Sequence, residues 1–499
     1  MKILNIYKSI GVFALATTLL VSCSELEFDI PVEDVIPLTS GTADFSNYVA
    51  IGASFSAGIS DGSLFIASQN NSFPNSLAGA MANAGGGEFR QPLVSDNVGG
   101  LLLGGVQIAG PRLYFTGSGL GVVSSTPTTE VSNVLAGPFN NMGVPGAKSF
   151  HLLAPGYGNV AGVPTGQANP YFARMASNPN ATVLEDAVSQ NGTFFTVSVM
   201  GGNDVLGYAT SGGSGVDQTG NFDPATYGGN DITDPQVFAG VAGAIVAGLT
   251  ANGAKGVLSN VPYVTDLPYF TTVPYNAVPL DAATAAQLNG AFAQYNGGLL
   301  AAEAGQLITA SERAARTINF AAGQNAVTLV DEDLTNLAAL GLPSYRQATS
   351  NDLVVLPATS FIGTLVDGNP QLINGVSVPL SDQWILTDIE TQTVLAVTDA
   401  YAVTVEALAS ANGLAFVDLR VILSEAYSSG IMFDNFNMST DLIFGGLVSL
   451  DGVHLTAKGY AYMANKFLEA IDTTYGSNFG ASGSMLKAND YTVLYPEGL

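Results

Sequence analysis

The sequence predicts an α/β domain, with helices layered on a sheet. Three observations carry that expectation. Short apolar runs alternate with longer helix-forming stretches. The clearest run, TFFTVSVM at 193–200, is β-branched and aromatic, as a buried strand requires. The alternation breaks over 317–383, where strand-like runs and Pro/Gly punctuation mark an insertion.

Taken in order, the chain begins with MKILNIYKSIGVFALATTLLVSC. Lys2 and Lys8 precede an apolar run at 10–21 that is too short to span a bilayer comfortably, so 1–22 reads as a signal peptide. The LVSC that closes it resembles a bacterial lipobox, in which Cys23 becomes the lipidated first residue of the mature chain. An ordinary signal peptide followed by a chance Cys is the alternative. Cys23 is the sole cysteine, so no intrachain disulfide is possible. A lipid there anchors a protein to a membrane without spanning it. No later stretch of about 18 apolar residues reads as a span. The SELE that follows resembles the surface-export signal of Bacteroidetes lipoproteins. The expected location is therefore the outer membrane, with the cell surface a further possibility. Residues 23–45 are acidic and carry Pro31 and Pro37, which suggests a tether.

The domain proper is expected over 46–475. A strand at 47–51 runs straight into GASFSAG at 52–58. Residues 60–135 are rich in Gly, Ser and Asn and predict loops and short elements. After the strand at 193–200 comes GGND at 201–204, then a polar insertion near 205–234. Asp234 is placed to cap a helix over 237–249. A strand at 256–259, a helical stretch at 281–316, a helix at 386–411, a strand at 415–419 and an amphipathic helix at 456–471 complete the rhythm. Residues 476–499 read as a tail.

Acids outnumber bases 40 to 14, for a net charge of −26. No basic residue lies between Arg174 and Lys255, or between Arg346 and Arg420. Such a surface repels phosphate backbones, which excludes nucleic acid as a partner. With 47% hydrophobic residues the chain is too apolar to be disordered.

Only two histidines occur, His151 and His454. His454 stands three residues after Asp451, a spacing that puts both on one side of a turn. A carboxylate there can orient an imidazole whose other nitrogen serves a hydroxyl. Ser54 is the candidate hydroxyl: it follows a strand and is bracketed by Gly52 and Gly58.

GASFSAG (52–58), NNMGVPG (140–146), GGND (201–204) and DGVH (451–454) together resemble four sequence blocks of the GDSL/SGNH hydrolase family, in the family's order. The resemblance implies a three-layer α/β/α fold with a mainly parallel, flavodoxin-like sheet. It implies Ser54 as nucleophile and Asp451 and His454 as the rest of the triad. The oxyanion donors would be the N–H groups of Ser54 and Gly146 and the Asn203 side chain. The reaction would be hydrolysis of a small-molecule or lipid ester, as in an esterase or lipase, with no cofactor or metal. Ala53 stands where the family usually has Asp, a position outside its catalytic set. The blocks cover a small part of the chain.

Other features compete. GGND recurs at 228–231, which makes Asn230 a second candidate for the Asn203 role, but no strand precedes it. GISDG at 58–62 fits a Gly-x-Ser-x-Gly elbow with Ser60 as nucleophile, though the strand ends several residues earlier. His151 is expected to be structural or at the cleft rim. Asp217, Asp223, Asp231 and Asp234 lack the spacing of a calcium loop and read as a solvated loop. Apolar residues within 317–383 suggest a lid over the acyl site, or a stabilising decoration. The competing class is a catalytically inactive surface lipoprotein that binds glycan or peptide. A glycan platform usually displays several aromatics, and Trp384 is the sole Trp.

Overall fold

The computed structural model describes residues 36–499; the signal-peptide and Cys23 expectations lie outside the described residues. Five parallel strands form the central sheet: β1 (Tyr48–Gly52), β2 (Asn141–Gly143), β3 (Phe194–Ser198), β4 (Lys255–Ser259) and β5 (Ala415–Val417). Their spatial order is β5-β4-β3-β1-β2. The three strands β1, β2 and β3 are buried at every residue, as strands covered on both faces must be.

The main helices are α1 (Ser54–Ala57), α2 (Phe73–Ala82), α3 (Val183–Val188), α4 (Gly202–Thr210), α5 (Pro235–Thr250), α6 (Ala282–Ala304), α7 (Ala310–Arg316), α8 (Asp388–Ala411), α9 (Leu419–Ser428) and α10 (Ala457–Tyr475). α2 packs on α10, while α8 packs on α5 and α4. Right-handed crossovers put the β1-to-β2 connection on one face and the later connections on the other, so the α/β fold is doubly wound. The strand order reverses at β1. A crevice therefore opens at the carboxyl ends of β1 and β3, where such folds bind ligands.

Local signals explain the long helices. The Asp234 carboxylate accepts the N–H groups of Gln236 (2.8 Å) and Val237 (2.9 Å), and Pro235 stands where no N–H is needed. Thr387 and Glu390 form a reciprocal capping box on α8. Thr456 caps α10 through the Gly459 N–H at 2.9 Å.

Five expectations need correction. The stretch 281–316 is two helices, because Gln306 turns left-handed (φ 59°) after α6. Residues 202–210 are a helix, so the polar insertion begins only after Thr210. The insertion expected at 317–383 is longer and takes in α6 and α7. Asn289 and Asn296 on α6 bond the Phe320 and Ile318 carbonyls, and Tyr295 bonds that of Tyr345. The tether ends before 39: the Thr42 N–H donates to Tyr475 O at 2.8 Å, and Ala43 and Phe45 are buried. The tail is likewise core, since Phe479, Ala488 and Tyr495 are buried. Apart from these five, α8 is long and apolar enough to cross a membrane by composition alone, yet its Val394, Tyr401 and Val405 are buried in the core.

Candidate active site

β1 delivers its chain into α1 within two residues, so Ser54 lies at the first turn beyond the sheet edge. This sharp exit needs Gly52. A Cβ there would lie 2.2 Å from Ser56 Oγ and 3.1 Å from the Ser198 carbonyl. Ser56 cannot move aside cheaply: it is buried and bonded to Ser198 Oγ at 2.7 Å.

Ser54 Oγ lies 2.9 Å from His454 Nε2, and His454 Nδ1 lies 2.8 Å from Asp451 Oδ2. Ser54 and His454 are 400 residues apart in the chain. Asp451 is held by its own turn: Oδ1 accepts the N–H groups of Val453 (2.8 Å) and His454 (2.9 Å). Ser449 Oγ also donates to Oδ1, at 3.1 Å. Burial opposes ionisation of Asp451, but the His454 charge and these hydrogen bonds outweigh it and hold the carboxyl well below its ordinary range. The Phe55 ring lies 5.5 Å from the His454 ring, tilted by 43° to it.

Asn203 lines the cleft with Ser54 and is bonded to the turn that carries Gly146. Residues 144–147 form a type II turn: Pro145 is second, Gly146 is third with φ 77°, and the Ala147 N–H returns to Val144 O at 3.1 Å. Asn169 Nδ2 donates to the Pro145 carbonyl at 2.7 Å. In a trans peptide the Gly146 N–H must then point the opposite way. Asn203, at the start of α4, donates one amide hydrogen to Ala147 O at 2.9 Å. Its second hydrogen remains for a ligand.

Two acids that sequence reasoning missed hold these parts together. Asp204 accepts the Ser149 N–H (2.8 Å) and Oγ–H (2.7 Å), tying α4 to the segment after the Gly146 turn. Asp61, left-handed at φ 53°, reaches across to the His454 loop. Its N–H donates to Ser449 Oγ (3.0 Å), and its Oδ1 accepts the Leu450 N–H (3.1 Å). The next N–H, of Gly62, donates to Asp451 Oδ2 at 2.8 Å. Burial pushes Asp61 up to about 7; the Leu450 N–H opposes this, the Asp451 charge adds to it, and the Arg112 charge opposes it. No local motif marks either acid as a clamp.

A narrow apolar cleft, open to solvent, lies beside Ser54 and Asn203, walled by Val199, Leu206, Val261, Val264, Leu267 and Val453. Val199 has φ 50°, a region that β-branched residues avoid. Backbone strain of this kind concentrates at functional sites.

The competing candidates are elsewhere. Asn230 is exposed on its loop, where the Gly228 and Asp231 carbonyls instead accept from Lys148 Nζ. Ser60 Oγ is buried with no partner, and His454 Nε2 is on Ser54. His151 takes the Lys148 N–H on Nδ1 and stacks on Tyr157; burial and the Lys148 charge push it down to about 4, a neutral structural imidazole. The aspartates of 217–234 cap their own loop N–H groups. Away from the cleft, oxygens of Glu332, Asp382 and Glu390 lie within 4.8 Å of one another. Burial and mutual repulsion push Asp382 up to about 7. The expected lid does not wall the cleft: no residue of 317–383 lines it. That segment comes near the His454 loop at Leu356, which faces Gly452.

Comparison of the chain with protein-family models, with curated proteins and with solved structures finds no match.

Proposed function

We propose that this protein is a serine-dependent carboxylic ester hydrolase. One observation carries the reading: the continuous chain from Ser54 Oγ to His454 Nε2 and from His454 Nδ1 to Asp451, at hydrogen-bonding distance throughout. His454 Nε2 takes the Ser54 proton as Oγ attacks the ester carbonyl. The negative charge that develops on the carbonyl oxygen is met by the Ser54 and Gly146 N–H groups and the spare Asn203 hydrogen. The bond to the alcohol then breaks, and the proton passes from His454 to the departing oxygen. Water, deprotonated by His454, releases the acid and restores Ser54. The four sequence blocks and the apolar cleft support the same reading. By the lipobox resemblance, the enzyme is exported and anchored through a lipid on Cys23.

Labelling with a fluorophosphonate tests this reading. The reagent should modify Ser54, as read by peptide mass spectrometry. Labelling should vanish in Ser54→Ala and slow in His454→Ala. Modification of some other residue, or none in the folded protein, would overturn the proposal.

A further inference from the structure

A second apolar cavity, open to solvent on one side, adjoins the cleft. The two share Phe55, Pro262, Leu267 and Val453 as wall residues. Beyond them the second cavity is lined by Leu419, Ile422, Leu423, Leu447, Leu455 and Met463. Its one charged lining residue is Lys466, whose ammonium is engaged by Glu469 at 2.9 Å and lies 5.2 Å from the Tyr462 ring centre. Lys466 therefore offers the cavity its methylene stem.

We infer that this cavity receives the far part of a long acyl chain whose carbonyl is bound at Ser54, so that the substrates are long-chain acyl esters. The inference rests on the hydrolase reading above. Three features favour this occupant. The leaving oxygen must reach His454 Nε2, while the acyl group stays on Ser54, which itself lines the first cleft. The second cavity lies directly across the shared walls Phe55, Pro262, Leu267 and Val453, and both linings are almost wholly apolar, which suits a hydrocarbon chain. A sugar there would leave its hydroxyls without partners, which costs free energy.

Ile422 is half-buried on α9 and tolerates enlargement better than the buried Met463. Its neighbour Val421 is 62% exposed on the same helix and serves as a control. The full chain in detergent would be treated with p-nitrophenyl butylphosphonate and its hexadecyl analogue. In each, Ser54 Oγ forms a bond to phosphorus, p-nitrophenolate leaves, and the serine proton is released through His454. Ile422→Trp should slow the hexadecyl reaction by roughly 10-fold or more, the equivalent of about two methylenes kept in water, and leave the butyl reaction within about twofold. Val421→Trp should change neither, and Ile422→Ala should keep the preference for the long chain. Butyl and hexadecyl rates that stay in the same ratio in Ile422→Trp would overturn the inference with the hydrolase reading intact. Failure of both reagents to modify Ser54 in the wild type would remove the hydrolase reading, and the inference with it.

Discussion

Asn203 divides its amide between the fold and the crevice. One hydrogen is bonded to Ala147 O. The other is free to meet a developing charge. Asn203→Ala should lower kcat by about 10²–10³, since one oxyanion donor is worth roughly 3–4 kcal/mol, and should cost about 1 kcal/mol in unfolding for the lost bond to Ala147 O. Steady-state kinetics beside urea denaturation reads both quantities. Asp61 makes a different prediction. Its carboxyl ionises near 4 when unfolded and is pushed up to about 7 in the fold. The folded state holds the proton longer, so its stability is lost as pH rises through that window. Asp61→Asn removes this loss. Its melting temperature should gain on the wild type between pH 5 and pH 8, and a constant difference would contradict the assignment. The residues that the geometry gathers around Ser54 were legible because each follows a strand or sits in a short turn. Asp61 and Asp204 were not. Their meaning lies in partners far along the chain, Leu450 and Ser149, which no local pattern announces.

Among elements, α5 was legible from its cap Asp234 and α8 from its long helix-forming run; the Thr387 cap of α8 emerged only in the structure. β2 and α4 were not. β2 has three residues, and α4 opens with glycine, so neither displays a period long enough to read. The insertion is pinned by Arg346, whose guanidinium bonds Asp331 (2.5 Å) and both oxygens of Asp352 (2.6 and 2.7 Å) with little solvent access. Removing one partner of a buried pair strands the other charges. Arg346→Ala should therefore cost about 3–5 kcal/mol in a urea titration. Gly52→Ala probes the other end of the fold. Its Cβ meets buried atoms on two sides. Overpacking of this kind costs roughly 1–3 kcal/mol, and here it should also displace Ser54 and lower activity beyond the stability loss.

At the scale of the whole molecule, segments that looked peripheral are structural. Arg112 is fully buried, and its Nη2 donates to the carbonyls of Pro496 (2.6 Å) and Glu497 (3.2 Å). Tyr495 packs edge-on against Phe65. Removing 492–499 should cost about 3–5 kcal/mol, because a buried guanidinium loses acceptors; a truncated chain that melts with the full one would contradict this. The polar composition of 39–45 and 476–499 concealed the anchors Phe45, Phe479 and Tyr495, and single aromatics in polar runs carry no period. The central claim is tested most directly by p-nitrophenyl ester hydrolysis, acetate to palmitate, by the wild type beside Ser54→Ala, with circular dichroism on both. The account predicts turnover by the wild type and a loss of at least about 10³-fold in the variant. Equal rates from the two, or no turnover of any ester by a folded wild type, would contradict it.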